Sequence, residues 1–178
     1  MHMESLRILW SGCCSAGGLD FRSGAKAIFI MDEMHNFHKG DMVGFLDLDN
    51  FSYLWDNFSL RALGDKIIKI LVKSFIEEGF EIYRVYPKGD EFVVTIHGDN
   101  HAWVNGINAT SRRFASYQSK IEITSIIKFT IGVSDLINHP LCWYKFSDAS
   151  NQCSSLKRRG YKGYVVINND NPIEIKFL

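Results

Sequence analysis

Apolar residues recur along this chain with two periods, and the switches between them predict an order of elements. The run Val43-Gly-Phe-Leu-Asp-Leu-Asp49 is short, apolar and ends in acids. It follows the turn-forming Lys39-Gly40-Asp41 and predicts a buried central strand. Over residues 61–78, Leu63, Ile67, Ile70, Leu71, Ser74 and Phe75 trace one helical face, which Gly79 ends. Residues 81–86 and 92–96 are rich in β-branched and aromatic side chains and predict two strands. Pro87-Lys88-Gly89-Asp90 lies between them as a hairpin turn. Residues 100–118 predict a helix, 121–133 one long strand, 145–159 a last helix closed by Gly160, and 164–167 a strand. The tail from Asn168 adds a short strand. Near the start, residues 4–14 predict a short helix broken at Gly17-Gly18. Residues 22–37 predict a second, on Phe29, Ile30, Met34 and Phe37.

The order is helix, helix, β, α, β, β, α, β, α, β. A hairpin between two β/α units is the split βαβ, ferredoxin-like plan. The expected class is α/β (α+β), with one central mixed, mainly antiparallel sheet flanked by helices. No repeat, low-complexity tract or linker interrupts the chain, and 178 residues suit one domain spanning 1–178.

Composition narrows the class. Apolar residues make up 46% and charged residues 22%, which is globular. Twenty basic side chains balance 20 acidic ones, which argues against a general nucleic-acid binder and leaves room for a local basic pocket. Cys13, Cys14, Cys142 and Cys153 fit no zinc spacing and read as buried free thiols in a reducing cytoplasm. No apolar run approaches the roughly 18 residues of a membrane span. The first residues lack a signal peptide's basic and apolar regions, so the expected location is cytoplasmic. Of the six histidines, His35 and His38 are spaced to share a helical face, but no further ligand lies near them. His2, His97, His101 and His139 likewise read as surface or packing residues.

Candidate chemistry lies in the acids that end apolar strands. Alternation puts Asp47 and Asp49 on one face. A carboxylate at the end of a central strand is costly to bury unless it is paired or binds a cation. Neighbouring strands lie about 4.8 Å apart, so Asp47 and Asp90 converge if the first strand pairs beside the hairpin. Carboxylates, a backbone carbonyl and substrate phosphates suit Mg²⁺ (or Mn²⁺), and two ions per active site would serve an in-line displacement. On pattern alone, the same acids equally well cap strands and start turns.

Further residues resemble a known family. Phe45-Leu-Asp-Leu-Asp-Asn-Phe51 followed by Gly64-Asp65 is similar to the opening motif of GGDEF domains, the diguanylate cyclases. Lys88-Gly-Asp-Glu-Phe92 resembles their signature hairpin, Phe129-Thr-Ile-Gly-Val-Ser134 their later strand, and Leu156-Lys157-Arg-Arg-Gly160 their closing helix end. Gly18-Leu19-Asp20-Phe21-Arg22 is a weaker echo of their N-terminal turn. The matches keep family order and spacing over roughly residues 15–168. The resemblance implies a palm-like GGDEF fold and a homodimer in which two nucleoside triphosphates face each other. Each 3′-hydroxyl attacks the other's α-phosphate, releasing pyrophosphate and forming a cyclic dinucleotide, normally cyclic di-GMP. It implies metal ligation by Asp47, Asp90 and the Leu48 carbonyl, with Glu91 beside the reacting hydroxyl. Gly89 would admit the phosphates, Asn50 and Phe51 would lie near the triphosphate, and Lys157 would neutralise it.

Four departures bear on that reading. Trp55 occupies the usual place of the guanine-reading Asn, while its partner acid is kept as Asp65. An indole donates one hydrogen bond and offers a stacking face, so adenine (ATP rather than GTP) comes into range. Core packing is the other role open to Trp55, and a shift of one residue would place Asp56 there instead. Lys88 replaces the first Gly of the signature, as a phosphate contact or as an exposed hairpin residue. Tyr161 replaces a phosphate-binding Arg, for which Lys162, Arg158 or Arg159 compensates, unless this basic cluster is a solvated helix end. Gly79 and Ile82 stand where an RxxD product-inhibition motif would be. Two functions compete: an active cyclase, and a degenerate GGDEF module that binds nucleotide or a partner protein. The expected stand-alone organisation is similar to that of minimal CRISPR polymerases, which make adenosine-containing cyclic nucleotides in phage defence. An unrelated ferredoxin-like binding domain is a third reading.

Overall fold

The computed structural model describes residues 26–29, 42–86, 89–96, 99–134 and 142–178. In chain order its elements are β1 (Lys26–Phe29), β2 (Met42–Leu48), α1 (Ser52–Asp56), a 3-10 turn (Phe58–Leu60), α2 (Arg61–Glu77), β3 (Glu81–Tyr86) and β4 (Glu91–Ile96). Then come α3 (Asn100–Gln118), β5 (Phe129–Ser134), α4 (Cys142–Arg158), β6 (Tyr164–Ile167) and β7 (Ile173–Glu174). The strands form one sheet in the order β1-β3-β4-β2-β5-β6-β7. Its inner four, β3-β4-β2-β5, have the split βαβ order expected from the sequence. β1 runs parallel to β3 and β5 parallel to β6, and the other four pairings are antiparallel.

Alternation along β2 divides the core. Met42, Leu46 and Leu48 face α2 and α3, where Ile67, Leu71, Phe75, Trp103 and Phe114 are buried. Val43 and Phe45 face the other way, with Tyr83, Val85, Val93, and Ala149 and Cys153 of α4. Two glycines allow these layers to close. A Cβ on Gly132 of β5 would lie 2.2 Å from the Ala149 carbonyl oxygen and 2.4 Å from the Cys153 nitrogen, so α4 rests directly on the strand backbone. A Cβ on Gly44 of β2 would come within 2.7 Å of the Trp103 indole on the opposite face. The aromatic core runs on into the tail, where Phe177 meets Phe129 edge-on at 5.1 Å.

Helix ends follow local chemistry. Asp99 caps α3 by accepting the Ala102 N–H at 2.8 Å. Gly79 (φ +83°) and Gly160 (φ +82°) supply the left-handed residues after α2 and α4.

Three expectations need correction. Residues 26–29 form a strand inside the stretch expected to be a helix over 22–37. Its apolar spacing fits either period, and pairing with the β3 edge decides between them. The long strand expected over 121–133 begins only at Phe129. β2 ends at Leu48, opposite Phe129, so among the described residues no strand pairs with the residues before it. There the buried Gln118 side chain substitutes for a strand, donating to the Ile127 carbonyl at 2.9 Å and accepting the Ile127 N–H at 2.7 Å. The third is an omission: α1 and the 3-10 turn lie between β2 and α2. The helix expected over 4–14, Cys13, Cys14, Pro87, Lys88, His2, His35, His38, His97 and His139 lie outside the described residues. His101 is exposed. Cys153 is a buried free thiol, pushed up to about 12 by burial and then by the Asp47 charge.

Candidate functional site

β2 carries its acids out at the C-terminal end of the central strand. Asp47 stands opposite Glu91 on β4 and Thr130 on β5. The next residue, Leu48, donates its N–H to the Asp90 carbonyl at 3.2 Å. The hairpin thus lies beside the end of β2, which is the strand pairing that the expected approach of Asp47 and Asp90 requires. Asp47 is on the α4 face of the sheet, and there it meets the last turn of α4. Lys157 Nζ lies 2.5 Å from Asp47 Oδ1 and 3.8 Å from Asp49 Oδ1. It also donates to the Leu48 carbonyl at 3.3 Å.

The electrostatics of Asp47 reflect this crowding. Its pKa is raised from 3.8 to about 6, chiefly by burial. Lys157 opposes the shift through a hydrogen bond and its charge, while Asp90 and Glu91 add to it. Two neighbouring carboxylates that disfavour a third charge are what a cation would relieve.

Asp49 is different. It is 3% exposed, and both its oxygens accept from Thr130 Oγ1 at 3.0 Å. Oδ2 also accepts the Gly163 N–H at 2.8 Å. Its own N–H donates to the Lys128 carbonyl at 2.8 Å. Asp49 thus ties β2 to β5 and to the turn before β6. Its pKa is also raised by burial, against the opposing pull of the Gly163 N–H.

The other candidate residues fall into two groups. Asn50 adopts φ 56° just past β2, and its Oδ1 accepts from Lys162 Nζ at 2.8 Å, at the exposed rim beside the acids. Gly89 offers its carbonyl to Arg84 Nη2 at 2.7 Å, which holds the hairpin against β3. The remaining candidates are not drawn into this cluster. The Phe51 ring is buried in the core, and its carbonyl accepts the Leu54 N–H at 3.0 Å. Asp65 lies just past the first turn of α2, and its buried Oδ1 has no hydrogen-bond partner among the described residues. Arg158 is exposed at the end of α4. Arg159 lies 4.9 Å over the Tyr161 ring, which packs on Tyr164. Trp55 contributes backbone to α1, and its indole lies outside the described residues.

Sequence reasoning missed Arg84, Thr130 and Gly163. Arg84 is 3% exposed, and an arginine inside the apolar run of β3 was the available signal.

Among the described residues no group of three His, Cys, Asp or Glu side chains gathers as a metal centre. The donors that do gather are the Asp47 carboxylate, the Leu48 carbonyl and the adjacent Asp90. That all-oxygen set fits Mg²⁺, which uses one or two protein carboxylates and leaves positions for phosphates. Two of these, Asp47 Oδ1 and the Leu48 carbonyl, already hold a cation, the Lys157 ammonium.

The chain matches no protein-family model, and no curated protein matches it in sequence. Solved structures do resemble it. The active GGEEF domain of a diguanylate cyclase from Vibrio cholerae aligns with a TM-score of 0.61 at 21% identity, over 74% of this chain and 84% of that one. The diguanylate cyclase SiaD from Pseudomonas aeruginosa, solved with its activator SiaC, gives 0.64 at 15% identity, over 92% of this chain and 66% of that one. The coiled coil and GGDEF domain of DgcB from Caulobacter crescentus, in complex with c-di-GMP, gives 0.58 at 16% identity, over 71% and 69%. At these identities the likeness is one of fold, and the fold of this chain is that of GGDEF domains.

Proposed function

We propose that the chain is a nucleotide cyclase that condenses two nucleoside triphosphates, GTP or ATP, into a cyclic dinucleotide with release of pyrophosphate. The observation that carries this reading is the convergence of Asp47, the Leu48 carbonyl, Asp90 and Glu91 at one end of a GGDEF-type sheet. When bound there, Mg²⁺ would supply charge neutralisation at the α-phosphate and polarise the attacking 3′-hydroxyl. Asp47 and Asp90 would hold that ion, with the Leu48 carbonyl as a third contact. Glu91 stands opposite Asp47 in the strand register, and on this reading it would accept the proton of the 3′-hydroxyl. Lys157 and Lys162 extend from α4 and the loop after it toward the same strand end, where their charges would neutralise the triphosphate. The chemistry is then positioning and charge stabilisation, with no covalent step on the protein. The second nucleotide comes from a facing copy of the chain, which makes the functional unit a homodimer.

The test is to incubate the protein with Mg²⁺ and each of the four nucleoside triphosphates, singly and in pairs, and to identify products by mass spectrometry. A cyclic dinucleotide is expected from at least one combination. No product from any combination would overturn the cyclase reading and favour a module that only binds.

A further inference from the structure

Lys157 reaches the end of β2 from the last turn of α4, and its ammonium makes three contacts with oxygen. They are Asp47 Oδ1 at 2.5 Å, the Leu48 carbonyl at 3.3 Å and Asp49 Oδ1 at 3.8 Å. Two of these oxygens are the ones proposed above for the divalent ion. A metal ion and an ammonium compete for the same lone pairs, and at contact distance they repel each other as well. Asp49 cannot swing away to offer a separate site, because Thr130 and the Gly163 N–H hold its carboxylate. Lys157 stays tethered within reach of these oxygens. The close contact of α4 with Gly132 fixes the helix that carries it.

The geometry points to a nucleotide-gated metal site. We propose that Lys157 is a tethered cation that occupies the Asp47–Leu48 oxygens until a triphosphate draws its ammonium away and delivers the divalent ion in its place. This rests on the cyclase reading for the identity of the metal ligands. The hand-over leaves neither the carboxylate nor the ammonium without a counter-charge. Asp47 exchanges one cationic partner for another, and the ammonium exchanges a carboxylate for phosphate oxygens. The consequence is ordered assembly, because free metal binds poorly and metal with nucleotide binds well.

The probe is Mn²⁺ alone, without nucleotide, titrated into the full chain and followed by the loss of the free-ion electron paramagnetic resonance signal. Lys157→Met should bind Mn²⁺ at least about tenfold more tightly than the unmodified protein, a change of roughly one decade in Kd. Lys157→Gln, which keeps polarity and most of the length, provides the same comparison if the Met variant does not fold. Adding Asp47→Asn to either variant should abolish the gain. Equal Mn²⁺ affinity in the unmodified protein and the Lys157 variants, with Asp47 required in all of them, would overturn the gating and leave the metal site standing. Asp47-independent Mn²⁺ binding in every variant, or none at all, would overturn the metal site and the gating together.

Discussion

Asp47 is placed where burial, two neighbouring carboxylates and one ammonium act on a single side chain. Burial dominates, so its pKa rises to about 6 from 3.8. Between about pH 4 and pH 6 the folded protein therefore keeps a proton that the unfolded chain has released. The stability this contributes is fully present below about pH 4 and is lost as pH rises through about 6. Relative to Asp47→Asn, the unmodified protein should lose on the order of 1–2 kcal/mol across that window, a figure reduced for the partial exposure of the group. Urea unfolding of both proteins at several pH values checks this, and a stability difference independent of pH would contradict it. Asp47 and Asp90 were legible in the sequence because acids that end apolar runs stand out. The contact of Lys157 with Asp47 and the Leu48 carbonyl was not, since it spans 109 positions from Leu48 and depends on how closely α4 sits on the sheet. The role of Asp49 was equally hidden. Its spacing from Asp47 marks the shared face, but only the folded chain shows Thr130 and Gly163 consuming its oxygens.

The elements that build the site are α4, β5 and the β3–β4 hairpin. Gly132 sets the distance between α4 and β5, because any Cβ there would meet helix backbone rather than a yielding side chain. Gly132→Ala should therefore destabilise the protein by about 1–3 kcal/mol, measured by denaturant unfolding. A change below about 0.5 kcal/mol would show that α4 can lift without cost. The helices α2 and α3 were legible from apolar periodicity. The start of β5 was not, because 121–128 keep an apolar, β-branched composition while lacking a partner strand. Gln118 then satisfies Ile127 from the side, an arrangement that strand propensity does not register. β1 is the converse case, a strand whose pattern also fits a helix and whose identity comes from the open edge of β3.

At the scale of the whole molecule, the order of elements was enough to anticipate the central four strands, since a hairpin between two β/α units admits few sheet arrangements. Among the described residues no helix is long and apolar enough to cross a membrane. On the proposed cyclase reading, two active-site halves must face each other for each 3′-hydroxyl to reach the other nucleotide. The rate per protein should accordingly rise with protein concentration in the dilute range, and strict proportionality between total rate and concentration would contradict a facing pair. Gating by Lys157 and pairing of subunits both presuppose that the carboxylates at the end of β2 bind a metal ion. The most direct test is Mg²⁺-dependent pyrophosphate release by the unmodified protein and by Asp90→Asn, with the preferred nucleoside triphosphate. Release by the unmodified protein should fall by about 100-fold or more in the variant, the scale of losing a group that stabilises the transition state. Equal release by both proteins, or none by the unmodified protein with any triphosphate, would contradict a cyclase built on Asp47 and Asp90.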